Sequence, residues 1–187
     1  MDYARMRVLA DEPGAFAEGL EGAWRVEIGP EGPSLALRRR PKRHAGIVRS
    51  LRAQLDRQLR ATHPDHVCAS PPIEHPALGR MLHPDAAVVP EAALDEDGPA
   101  VNASQVPASV EVAASADGGT ARPTAFAALG IAHHLAVDPA VGTIEVHSDP
   151  RKGRYARKDA YIFGDTVPFG PWLIDTGDFR RYGKTGG

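Results

Sequence analysis

The segment from Ile47 to Leu59 constrains the fold more than any other stretch of the chain. Ile47, Val48, Leu51, Leu55 and Leu59 recur at helical spacing, while Arg49, Arg52, Arg57 and Arg60 fall off that face. A helix with one apolar stripe needs an apolar surface to lie on, and the neighbouring sequence offers strands to make one. Trp24-Arg25-Val26-Glu27-Ile28 alternates apolar and polar residues, Gly29 to Pro33 supplies a turn, and Ser34 to Leu37 reads as the hairpin partner. Ala86 to Val89, bounded by Pro84 and Pro90, is a second strand candidate; Val110-Glu111-Val112 and Thr143 to Val146 are others, and Leu135 to Val137 leads into Asp138-Pro139. Thr124 to Leu129 reads as a short helix stopped by Gly130, and a further short helix is expected around Ala15 to Leu20. Between Thr62 and Pro84 prolines and histidines break all periodicity except for a short strand at Val67 to Ala69, and Glu91 to Gly98 reads as an acidic surface loop. The pattern predicts an α/β domain: a mixed β-sheet flanked by α-helices, opened by an N-terminal β-hairpin. Expected boundaries are a helical extension over 1–22, one domain over 23–180 and a flexible tail over 181–187.

Composition narrows the function classes. Hydrophobic residues make up 42% and charged residues 25%, too apolar for a disordered chain, and aromatics at 6% leave the core to aliphatic side chains. The 17 prolines and 19 glycines gather between Pro64 and Pro107 and near the C-terminus, which implies long connections. A net charge of -2 gives no global field for a polyanion, so any such site must be a local basic patch. Cys68 is the single cysteine, which excludes an intrachain disulfide. No apolar run is long enough for a membrane span or signal peptide, so the expected address is cytoplasmic, without a membrane partner. No Gly-x-Ser-x-Gly, Walker-type loop or His-Glu-x-x-His is present, against a serine hydrolase of the elbow type, a P-loop enzyme and a zinc protease.

Three acids lie on or beside predicted strands: Glu27, Asp85 and Glu111. A carboxylate flanked by apolar strand residues is costly to bury unless paired, and a hard divalent cation is a natural partner for several such oxygens. The plain alternative is that each caps a strand end in solvent.

Pro84-Asp85, followed by Val110-Glu111-Val112, resembles the signature of the PD-(D/E)XK nuclease superfamily. More narrowly, an ordered set of segments resembles the Uma-two family of restriction-endonuclease-like proteins: Glu27-Ile28, His44 to Val48, Pro84 to Val88, Ser109 to Val112, Ala127 to Ile131, Leu135 to Pro139 and Gly142 to Val146. The resemblance runs from about Trp24 to Asp178 and implies a restriction-endonuclease-like fold. It also implies a site of Glu27, Asp85 and Glu111 around Mg²⁺ or Mn²⁺, DNA as the partner, and a homodimer, although no oligomerisation stripe is visible. In that family the lysine sits on the helix after the strand. Counting back from Gly130 places Arg122 there, Phe126 stands where the family has tyrosine, and Ala114-Ser115 replaces Ser-Pro. Arginine keeps the positive charge and can grip a phosphate through two nitrogens, but it does not lose a proton near neutral pH. Two readings follow: a metal-dependent endonuclease in which Arg122 steadies the scissile phosphate, or a catalytically silent nuclease-fold protein that binds DNA or a protein.

Other candidates are weaker. His63-x-x-His66-x-Cys68 with His75 has zinc-ligand residue types but sits in a proline-rich stretch without a second cysteine pair, and reads as solvated histidines. His133-His134 reads as the start of a strand. The basic run Arg38 to Arg43 and the group Arg151, Lys152, Arg154, Arg157 and Lys158 would contact phosphates if they border the acids, and otherwise are solvated faces.

Overall fold

The computed structural model describes residues 3–18, 24–37, 42–113 and 121–182. Three helices, α1 (Tyr3–Glu18), α2 (Lys42–Thr62) and α3 (Ala121–Ala128), accompany thirteen strands among the described residues. A six-stranded sheet carries, in order, β11 (Arg154–Ile162), β10 (Thr143–Arg151), β9 (His133–Asp138), β8 (Ala108–Val112), β6 (Ala86–Pro90) and β3 (His66–Ala69). Only β8 and β9 run parallel within it. A five-stranded sheet orders β2 (Gly32–Leu37), β1 (Trp24–Gly29), β5 (Arg80–Leu82), β4 (Ile73–His75) and β7 (Val101–Asn102), and β12 (Thr166–Phe169) pairs with β13 (Trp172–Asp175) as a separate hairpin.

The predicted long helix is α2. Its buried residues His44, Ile47, Leu51, Leu55 and Leu59 recur at three or four positions, as the stripe requires. The four aliphatic ones pack on Ala86 and Val88 of β6 and on Ala108, Val110 and Val112 of β8. Each leucine so buried contributes about 2 kcal/mol of apolar transfer. Gln54 and Gln58, one turn apart, fasten the β12–β13 hairpin over the helix. Gln58 accepts from the Leu173 N–H at 2.9 Å and donates to the Leu173 carbonyl at 2.8 Å, and Gln54 treats Asp175 the same way at 2.7 and 2.9 Å.

Strand alternation decides what faces the other side. Ala87 and Val89 join Phe126 and Leu129 of the α3 region and Ile73, Leu82 and Val101 of the five-stranded sheet in a second core. The α2-side positions of β8 being 108, 110 and 112, Ser109 and Glu111 point toward α3. That helix ends where the sequence predicts: Gly130 adopts φ +79°, and its N–H donates to the Ala127 carbonyl at 3.1 Å.

Several elements differ from expectation. The N-terminal helix spans Tyr3–Glu18 rather than 15–20, its Met6 and Ala10 packing with Ile28 and Met81. Val8 and Leu9 interrupt the apolar spacing there and are exposed. The stretch from 62 to 84 carries β3, β4 and β5; the latter two, at three residues each, are too short to show a period. The N-terminal hairpin forms as predicted, with Glu27 opposite Ser34, but it belongs to the second sheet and not to one mixed sheet. Strand β11 shows no apolar alternation because most of its side chains are exposed, only Tyr155 and Tyr161 being half-buried.

Candidate active site

Asp85 immediately precedes β6, and the antiparallel pairing of Ala86 with Val110 brings it to the end of β8. Its N–H donates to the Val110 carbonyl at 3.0 Å, and its Oδ2 accepts from the Val112 N–H at 2.8 Å. His44, at the start of α2, places Nε2 3.3 Å from the same Oδ2 and 3.2 Å from the Val112 carbonyl. Both side chains lie within the fold, each residue 1% exposed. Ser70 donates through Oγ to the Asp85 carbonyl at 2.5 Å, which ties the loop before β4 to the strand start.

Glu111 is the next acid along β8, and Glu27 approaches from β1. Ile28 is fully buried against Met6 and Met81, so Glu27, its neighbour in an alternating strand, projects from the opposite face. The residue between them is Arg122, near the start of α3. Its Nη2 lies 2.8 Å from Glu27 Oε1 and its Nε lies 2.5 Å from Glu111 Oε1. Burial works against the guanidinium charge, but the carboxylates of Glu111, Glu27 and Asp85 outweigh it and raise the Arg122 pKa above its ordinary value. The four residues expected from sequence, Glu27, Asp85, Glu111 and Arg122, therefore form one electrostatic cluster.

Among the described residues no three His, Cys, Asp or Glu side chains stand together as a group that could hold a metal ion. The donor chemistry is nonetheless that of a hard cation: carboxylates from separate strands, two of which already converge on a single positive group. The residues fit a divalent cation in kind, with the place between Glu27 and Glu111 taken by a guanidinium.

Behind Glu111 the sheet carries a polar row, buried at Ser109, His134 and His147 and exposed at Lys158. Ser109, His134, His147 and Lys158 stand in register across β8, β9, β10 and β11. Ser109 Oγ lies 2.9 Å from His134 Nδ1, and the His134 ring is stacked on Phe126 with centroids 4.6 Å apart. Burial, reinforced by the charges of His147 and Arg122, pushes the His134 pKa down to about 3. His147 is also lowered by burial, although Glu145, 3.1 Å from its Nε2, pulls the other way; Lys158 holds Glu145 at 2.7 Å at the surface.

The remaining candidates separate. His66 and Cys68 lie on β3 and His75 on β4, in different sheets, while His63 precedes β3 with its ring against Trp172, and Cys68 is buried. Burial pushes the Cys68 thiol up to about 12. His133 opens β9, as expected for a strand start. Of the first basic run, 38–41 lie outside the described residues, as do 114–120, which include Ala114-Ser115; Lys42 and Arg43 are exposed on α2. Arg151, Lys152, Arg154, Arg157 and Lys158 are exposed on the β10–β11 hairpin.

Two neighbours of the cluster carry no assigned role in the sequence reading. His44 stands three residues before Ile47, on the buried stripe itself, and that position was the available signal. Tyr182, whose pKa is raised by burial and then by Asp85 and Asp138, had none, since its approach depends on the chain's return from β13.

Comparison with known proteins places the chain by family and by fold. The Uma2 family model, described as "Putative restriction endonuclease", matches residues 16–173. A crystal structure of a "putative nuclease belonging to DUF820" from Anabaena variabilis superposes with a TM-score of 0.57 at 12% identity, covering 81% of this chain and 85% of that one. At that identity the likeness shows the fold alone. Among curated proteins none matches the chain.

Proposed function

The chain belongs to the Uma2 family of restriction-endonuclease-like proteins, and from that premise we propose that it hydrolyses DNA phosphodiester bonds with a divalent cation, Mg²⁺ or Mn²⁺, held by Asp85, Glu111 and Glu27. The observation that carries the reading is the gathering of carboxylates from β1, the start of β6 and β8 around the Arg122 guanidinium. Asp85 is oriented by the Val112 N–H and by His44, which fixes one of its oxygens and leaves its direction little freedom. Glu111 is held to the rim by the β8 ladder, and Glu27 closes the acid shell from the second sheet. Arg122 supplies a fork suited to a phosphate's oxygens, stabilising charge without acting as a base. A divalent cation, when bound, supplies positive charge to the phosphate and acidifies the attacking water.

Plasmid nicking by purified protein with Mn²⁺ tests this. Loss of nicking in both Asp85→Ala and Glu111→Ala is expected; nicking retained in both overturns it, since the activity would then come from elsewhere. A second reading, a catalytically silent DNA- or protein-binding member of the fold, is favoured by one observation: Arg122 engages two of the three acids at once. Retarded DNA in a gel with no nicking at any Mn²⁺ concentration would select it.

A further inference from the structure

We infer that Arg122 is the resident cation of the carboxylate cluster, and that Arg122 and a divalent metal ion exclude one another on Glu27 and Glu111. The inference rests on the metal-dependent reading above and names what regulates that site. One guanidinium spans two carboxylates that come from different sheets, using Nη2 for Glu27 at 2.8 Å and Nε for Glu111 at 2.5 Å. Asp85 adds its attraction to the same group. Carboxylates this close raise one another's energy when no cation separates them, so the cluster requires a positive charge in either state. Arginine meets that need without a metal because its planar fork offers several N–H donors at fixed angles; an ammonium at the same place is a single point charge and leaves one carboxylate less well held.

A metal ion would draw on the same two carboxylates. Held by both at short distance, it would repel the guanidinium already seated between them, so its arrival displaces the guanidinium from at least one acid. The side chain has somewhere to go: it is 29% exposed, whereas that of Glu111 is 10% exposed and held by its strand. Withdrawn toward solvent, the same fork stays at the mouth of the cluster, where a phosphate would sit. Arg122 thereby sets how much metal the site demands, and a chain with lysine at this position would load at lower concentration.

Calorimetric titration of chelator-treated protein with MnCl₂ is the test, with the Mn²⁺-induced shift of the thermal midpoint as a second readout. Arg122→Gln is expected to bind Mn²⁺ at least about tenfold more tightly than the unaltered protein, and to lose that binding when Glu111→Gln is added. Without metal its thermal midpoint should lie lower, and Mn²⁺ should restore more of it than in the unaltered chain. If Arg122→Gln does not fold, Arg122→Lys carries the same test, with affinity above that of the unaltered protein. Equal affinity in the variant and the unaltered protein overturns the inference while leaving the metal-dependent reading standing. No heat with Mn²⁺ in either overturns both.

Discussion

His134→Gln should make the protein less sensitive to acid. His134 is fully buried in β9, between the Phe126 ring and Tyr155, and its Nδ1 meets the Ser109 hydroxyl at 2.9 Å. Burial, with His147 and Arg122 adding to it, lowers its pKa from 6.5 to about 3. Between those values the unfolded chain takes up a proton that the folded chain refuses. Stability from this residue is therefore complete above pH 6.5 and falls as pH drops toward 3. From neutrality to pH 5 the loss is about 2 kcal/mol, at about 1.4 kcal/mol for each unit below the unfolded pKa. Glutamine has similar bulk and can keep a polar atom toward Ser109, but it does not titrate. Urea unfolding of both proteins at pH 7 and pH 5 measures the effect, and the difference between the two pH values should shrink by about 2 kcal/mol in the variant. The comparison is internal to each protein, so a uniform penalty from imperfect packing cancels. His147, also lowered, adds acid sensitivity of the same sign to both proteins. Parallel losses in the two would refute the reasoning and mean that the folded protein accommodates a protonated His134.

Three further outcomes follow from the structure. Gln58→Leu removes both hydrogen bonds to Leu173 on β13 and should lower the stability from urea unfolding by about 1 kcal/mol, water replacing part of what is lost; no change would mean the hairpin is held by Trp172 and its neighbours alone. Arg122→Lys should raise Mn²⁺-dependent nicking, and an unchanged or lower rate would count against matching Arg122 to the family's lysine. Replacing the exposed Arg154 and Arg157 of β11 by alanine should reduce the salt dependence of DNA retardation by about two units of logarithmic slope if both contact phosphates; an unaltered slope would exclude them.

What can be read in the sequence is what depends on local periodicity. The Ile47 to Leu59 stripe, the Trp24 to Leu37 hairpin and the Gly130 stop all appear where expected because neighbours in sequence determine them. The apolar strands at 86–90 and 108–112 appear for the same reason, both being buried on two faces. The division into two sheets does not, since it turns on single-pair contacts such as Ile28 with Met81, between residues far apart in the chain. Strand β11 carries no signal either, because an edge strand whose side chains are mostly exposed, Tyr155 and Tyr161 apart, has no alternation to show.

The acid cluster lies between these cases. Each carboxylate stands out alone, because an acid among strand apolars needs a partner, and the sequence names a cation as that partner without showing where the fold brings positive charge to it. Residue type and spacing point to a hard divalent cation, and the fold adds the Arg122 guanidinium from α3 beside the same acids. The reason is geometric. The helix expected over Thr124 to Leu129 starts at Ala121 and so takes in Arg122, which the family resemblance alone singles out, and whether its fork reaches Glu27 depends on how closely the two sheets approach, which no local pattern encodes. Once they approach, the guanidinium's reach and its paired donors allow the Glu27–Arg122–Glu111 bridge. Under the proposed match of Arg122 to the family's lysine, the exchange is more than a conservative change of charge: it alters what a metal ion must displace in order to bind.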